Sequence, residues 1–94
     1  MIHFVICEDN PHTGAIIKGF ISEYTALKKV DCRIFLYQNH FERVIEFAQA
    51  NTGHTNVFLL DIILNQENLS GFTLARQIRK KDVMAYLIFV SSHP

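Results

Sequence analysis

Asn56-Val57-Phe58-Leu59-Leu60-Asp61-Ile62-Ile63-Leu64 decides the fold of this chain. Four apolar residues run straight into one carboxylate, Asp61. A short continuous apolar run reads as a strand buried on both faces of a parallel sheet. The core has no use for a carboxylate at its end. In an open α/β sheet that position faces the crevice outside the carboxyl ends of the strands, where ligands bind. The N-terminus repeats the pattern, because Ile2-His3-Phe4-Val5-Ile6-Cys7 leads into Glu8-Asp9. Alone, Asp61 reads equally well as a strand-end cap. With Glu8-Asp9, two buried strands deliver three carboxylates to one sheet edge, which favours a site.

Outward from these strands, the chain alternates regularly. Residues 2–7 form the first strand, and Asn10-Pro11 starts a helix with a good N-cap and a proline at the first turn. Ile16, Ile17, Phe20, Tyr24 and Leu27 recur at helical spacing and predict the face laid on the sheet. The helix frays near Lys28-Lys29. Cys32 to Tyr37 is the second strand. Asn39 with Glu42 resembles a capping box for a helix whose apolar stripe is Phe41, Val44, Ile45 and Ala48. Asn51-Thr52-Gly53 stops it, with Gly53 as a candidate C′ residue. The third strand is Val57 to Asp61, followed by a loop from Ile62 to Leu69. Ser70 caps a third helix with Phe72, Leu74, Ala75 and Ile78 inside. Ala85 to Val90 is a fourth strand, and Ser91-Ser92-His93-Pro94 ends the chain. Such β-α-β-α-β-α-β alternation predicts a parallel sheet with right-handed crossovers.

Ninety-four residues make one domain, and a hydrophobic fraction of 49% suits a packed core rather than disorder. The formal net charge is zero, so no broad attraction to nucleic acid or acidic membranes is encoded. Arg76, Arg79, Lys80 and Lys81 form the only basic cluster, read as a solvated helix end. No apolar run approaches the roughly 20 residues of a membrane span, and no signal peptide is expected after Met1. Cys7 ends one strand and Cys32 begins another, too far apart for a disulfide. Both read as buried thiols of a cytoplasmic protein. His3, His12, His40, His54 and His93 show no ligand spacing. A strand-end Asp also occurs in haloacid-dehalogenase-like phosphatases, but these need a second Asp where Ile63 stands. Glu8-Asp9-Asn10 excludes a glycine-rich nucleotide loop.

Four features in order resemble the receiver domain of two-component response regulators. They are Glu8-Asp9 after the first strand, Asp61 after the third, Gly71 opening the third helix and Ser91 ending the fourth strand. The wording Ile-Cys-Glu-Asp-Asn, Leu-Asp-Ile and Phe-Val-Ser-Ser-His, with the long loop before Gly71, is most similar to the quorum-sensing LytTR-family regulators of Gram-positive bacteria. The resemblance covers essentially the whole chain, 1–94. It implies an α/β, flavodoxin-like (CheY-like) three-layer sandwich with strand order 2-1-3-4. It also implies that Asp61 accepts a phosphoryl group from a sensor histidine kinase, with transcription controlled through a DNA-binding domain. In the family, Mg2+ is held by the residues at Glu8, Asp9 and Asp61 and by the backbone carbonyl at Ile63. The hydroxyl at Ser91 is the switch.

That chemistry suits the residues. Phosphoryl transfer needs positioning and charge neutralisation more than covalent help. Mg2+ is a hard cation that takes oxygen ligands and relieves the repulsion among three acids. The chain departs from the family in one respect. It ends before a fifth strand, its lysine and a fifth helix, and none of Lys18, Lys28, Lys29, Lys80 or Lys81 can take that lysine's role. A truncated receiver of this kind leaves residues 85–90 as an apolar edge strand, which predicts a homodimer through that edge. The alternative function is a receiver-like interaction module that works without phosphorylation.

Overall fold

The computed structural model describes residues 1–64 and 69–91. Its strands and helices are β1 (Ile2–Cys7), α1 (Pro11–Leu27), β2 (Cys32–Tyr37), α2 (Glu42–Ala50) and β3 (Thr55–Asp61). A short pair follows, β4 (Ile63–Leu64) and β5 (Leu69–Ser70), then α3 (Gly71–Lys81) and β6 (Tyr86–Val90). Residues 65–68 of the expected loop, and the chain end with His93, lie outside the described residues.

Four strands form one parallel sheet in the order β2-β1-β3-β6. This is the predicted 2-1-3-4 order, with β6 as its fourth strand. The register pairs Ile2 with Cys32 and Thr55, and Asp61 with Val90. Helices cover both faces, so this is the CheY-like three-layer arrangement. Because side chains alternate along a strand, Val5, Cys7, Phe58 and Leu60 face one side. There they pack with Phe41, Val44 and Ala48 of the α2 segment and Leu74, Ala75 and Ile78 of α3. Ile6, Glu8, Leu59 and Asp61 face the other side, towards Ile17 of α1.

Helix α1 begins as the sequence suggests, with Asn10 accepting from the Thr13 N–H at 3.0 Å. Its inner face differs from the expected stripe. Ile16, Phe20, Tyr24 and Leu27 are exposed, whereas Gly14 and Thr25 are buried. Ile17 and Ile21, at half-buried positions, complete a 14-17-21-25 seam. Gly14 sets this rotation: a Cβ there would meet Leu36 Cδ1 at 3.0 Å, so the bare backbone lies on β2. Thr25 joins the seam by donating its hydroxyl to the Ile21 carbonyl at 2.7 Å. The helix ends at Leu27, with Lys29 in the left-handed region at φ 55°.

Three smaller expectations are also corrected. The Asn39–Glu42 capping box does not form. His40 adopts φ 52°, and α2 starts after Phe41 without a side-chain cap. Phe41 is fully buried, so packing of that ring anchors the turn. Gly53 has no positive φ, and α2 is closed instead by Asn51, whose Nδ2 donates to the Phe47 carbonyl at 2.8 Å. Phe72 lies outside, 47% exposed, stacked on Phe89 with ring centroids 4.6 Å apart.

The amino edge of the sheet carries a buried polar network. His3 Nδ1 and Asn56 Oδ1 lie 2.9 Å apart. Asn56 Nδ2 donates to Asp82 Oδ2 at 2.9 Å and to the Asn51 carbonyl at 2.8 Å. The remaining oxygen of Asp82 accepts from the Met84 N–H at 3.2 Å. Cys7 and Cys32 are free and sit at opposite edges, Cys7 buried as expected but Cys32 only half-buried, and burial pushes the Cys7 thiol up, towards an inert neutral form. Among the described residues no helix is long and apolar enough to cross a membrane.

Candidate functional site

Asp61 ends β3, and Glu8-Asp9 follow β1. Because β1 and β3 are parallel neighbours, the acids arrive side by side. Glu8, Asp9 and Asp61 each offer a carboxylate oxygen, all within 4.8 Å of one another. Glu8 and Asp61 are 2% and 4% exposed, and Asp9 is half-buried. Ile6, Cys7, Leu59 and Val90 wall the crevice with Ile17.

Glu8 is the electrostatic anomaly. Both of its carboxylate oxygens are buried without a well-formed hydrogen bond among the described residues, and only the Asp9 backbone N–H acts to lower its carboxyl. Burial, first, then a hydrogen bond to Asp61 and the negative charges of Asp61 and Asp9, raise its carboxyl from 4.5 to about 8. Two acids can share that hydrogen bond only while one carries a proton. Oxygen donors at this spacing match the ligand set of a hard divalent cation such as Mg2+, with ligand distances of about 2.0–2.1 Å. Glu8, buried beside two other acids, fits that role better than any core role.

The segment after Asp61 is held tightly. Ile62 donates its N–H to the Val90 carbonyl at 3.3 Å, and Gly71 donates to the Ile62 carbonyl at 2.8 Å. Ile63 donates its N–H to Asp61 Oδ1 at 3.2 Å and pairs antiparallel with Ser70. Sequence reasoning missed this β4–β5 ribbon, since two-residue strands carry no periodicity. Ser70 caps α3 as expected, its Oγ accepting from the Thr73 N–H at 3.1 Å. Ser91 follows Val90, the residue paired with Asp61, and is exposed. Lys80 and Lys81 close α3 at the end away from Gly71, which leaves them out of the crevice.

A doubly wound 2-1-3-4 sheet with acids at the ends of its two central strands is the architecture of response-regulator receiver domains. No family model matches the chain. It is homologous to accessory gene regulator protein A of Staphylococcus aureus (strain N315), 32% identical over 88 residues. The protein of that name from Staphylococcus epidermidis is 28% identical over 88 residues. Each match covers 94% of this chain but 36% of the relative, so the chain spans about a third of those proteins' length. Among solved structures, the MaeR response regulator bound to beryllium trifluoride superposes with a TM-score of 0.72 at 18% identity, covering 100% of this chain and 70% of that one.

Proposed function

We propose that this domain accepts a phosphoryl group on Asp61 from a phosphohistidine of a sensor histidine kinase. The response would pass to a DNA-binding, transcription-regulating domain in the same cytoplasmic protein. The observation that carries the reading is the convergence of Glu8, Asp9 and Asp61 within 4.8 Å. Homology to accessory gene regulator protein A supports the quorum-sensing setting. The beryllium trifluoride held by the MaeR structure mimics a phosphoryl group, which supports the acceptor role.

In the reaction, one Asp61 oxygen attacks phosphorus in line. The new O–P bond forms as the P–N bond to histidine breaks, and the freed imidazole nitrogen takes up a proton. The Ile63 N–H donates to Asp61 Oδ1 and so orients the carboxylate. Glu8, Asp9, Asp61 and the Ile63 carbonyl would hold Mg2+, which neutralises charge on the phosphoryl oxygens. Ser91, at the end of β6, would donate its hydroxyl to the bound group. The domain is a signalling acceptor, catalysing at most its own phosphorylation.

Incubation with acetyl phosphate and Mg2+, read by intact mass, tests this. One phosphoryl adduct is expected in the wild type and none in Asp61→Asn, which keeps the shape but removes the nucleophile. Equal adducts in both would place the acceptor elsewhere.

The exposed strand β6 supports a second reading, a dimerisation module independent of phosphorylation. Among the described residues β6 pairs only with β3. Its Tyr86, Ile88 and Phe89 are exposed, and edges of this kind recruit further strands. Sedimentation at micromolar concentration should show a dimer that Ile88→Lys dissociates. A wild-type monomer there removes this reading and leaves the acceptor role intact.

A further inference from the structure

We infer that Gly71 is a positioning residue for Asp61: its missing side chain lets α3 close onto the strand end and sets the direction of the carboxylate. The inference rests on the acceptor reading of Asp61 given above. None of the glycines has a positive φ, so backbone freedom is not what Gly71 supplies. It supplies space. A Cβ built on Gly71 would fall on the Asp61 carbonyl oxygen, with the Asp61 carbonyl carbon at 2.9 Å and Ile62 Cα at 3.2 Å. All three atoms are backbone and cannot swing aside as a side-chain tip can. Gly19 and Gly53 would meet nothing within 4 Å, and Gly14 meets first the side chain of Leu36.

The strand end has little freedom to retreat from α3. Ile62 is held on one side by the Val90 carbonyl and on the other by the Gly71 N–H. Ile63 is held by Ser70 through the ribbon and by Asp61 Oδ1. A methyl group at position 71 therefore has to break one of these bonds and displace the Asp61–Ile62 backbone. The Asp61 carboxylate leaves that backbone unit, so it turns away from Glu8 and Asp9. Displacements of about 1 Å in a reacting group are enough to cost large factors in rate.

The test compares Gly71→Ala with Gly19→Ala and Gly53→Ala as controls. It measures Mg2+ affinity by calorimetry and the Ile63 amide by NMR, in spectra that also report the β1 and β2 amides. Gly71→Ala should bind Mg2+ about tenfold to a hundredfold more weakly, the range seen when supporting contacts of metal ligands are removed. Its Ile63 amide should shift and exchange faster while the β1 and β2 amides keep their positions. The controls should match the wild type. A folded Gly71→Ala with wild-type affinity and an unmoved Ile63 amide overturns the inference. If Gly71→Ala does not fold, an ester in place of the Ser70–Gly71 amide serves. It removes the Gly71 N–H donor without adding bulk, and severalfold weaker Mg2+ binding with a shifted Ile63 amide is expected. Unchanged values there also overturn the inference. A wild type that binds no Mg2+ defeats the metal-assisted acceptor reading, and the Ile63 amide alone then decides the role of Gly71.

Discussion

Stripped of divalent cations, the protein should lose stability as the pH rises from about 5 to about 8, and Mg2+ should restore it. In the folded state burial and the neighbouring acids raise the Glu8 carboxyl to about 8, against an ordinary 4.5. Between those values the folded chain keeps a proton that the unfolded chain has released. Stability then falls with rising pH, because the native state binds more protons than the unfolded one. The loss begins above the unfolded value and is complete once the pH has passed the folded value. At about 1.36 kcal/mol per pH unit the full shift is about 4–5 kcal/mol, and screening through the half-exposed Asp9 side brings the expected loss to about 2 kcal/mol. For a domain of this size that is a fall in Tm of about 10 °C, read from melts in chelator at pH 5, 6.5 and 8. Glu8→Gln should flatten this part of the profile and so separate it from the five histidines. Mg2+ at about a hundred times its Kd should return about 2.7 kcal/mol at pH 8. A wild-type Tm that holds or rises between pH 5 and 8 in chelator would refute the account of Glu8.

Asn56→Ala should be among the most destabilising single changes in the chain, at about 3 kcal/mol. Asn56 is 1% exposed, and it joins His3 and Asp82, which are 5% and 4% exposed. His3 and Asn56 are register partners on adjacent strands, which is why their side chains meet. Truncation strips His3 Nδ1, the Asn51 carbonyl and Asp82 Oδ2 of their partner at once. A buried group left without its partner costs about 1–3 kcal/mol, and more when it is charged. The loss should appear as a drop in urea midpoint with an unchanged m-value. A change under about 1 kcal/mol would mean that water replaces Asn56 without penalty. The two edges of the sheet thus differ in kind. Polar groups at the amino edge satisfy one another, whereas Glu8 at the carboxyl edge is buried against two other acids.

The sheet and the acid cluster were readable from the sequence because each rests on an unbroken local signal. Val57 to Leu60 and Ile2 to Cys7 are continuous apolar runs, and a parallel sheet brings their ends together whatever the loops do. The face of α1 was not readable in the same way. Ile16, Ile17, Phe20, Ile21, Tyr24 and Leu27 span an arc of roughly 140° at about 100° per residue, so periodicity offers two overlapping seams. The choice between them depends on how closely Gly14 approaches Leu36, a tertiary fact. The capping box at Asn39 lost to the burial of Phe41, which overrides a local preference. The His3–Asn56–Asp82 network carried no signal, since its members lie 53 and 26 positions apart. Gly71 was visible as a residue at a helix start, but the carbonyl it lies against was not.

The register of β1 also governs when the site comes into being. β1 pairs with β2 and β3, and both partners are distant in the chain, the second by 53 positions between His3 and Asn56. Pairings of such long range close slowly, because loop entropy is lost before any contact compensates for it. During synthesis α1 can wind as soon as it emerges, while β1 waits for β3. Until that strand is seated, Glu8 and Asp61 belong to separate, hydrated segments and do not repel. Their conflict arises only once β1 and β3 are paired. A cation that settles it stabilises the paired sheet over the separate strands, by mass action.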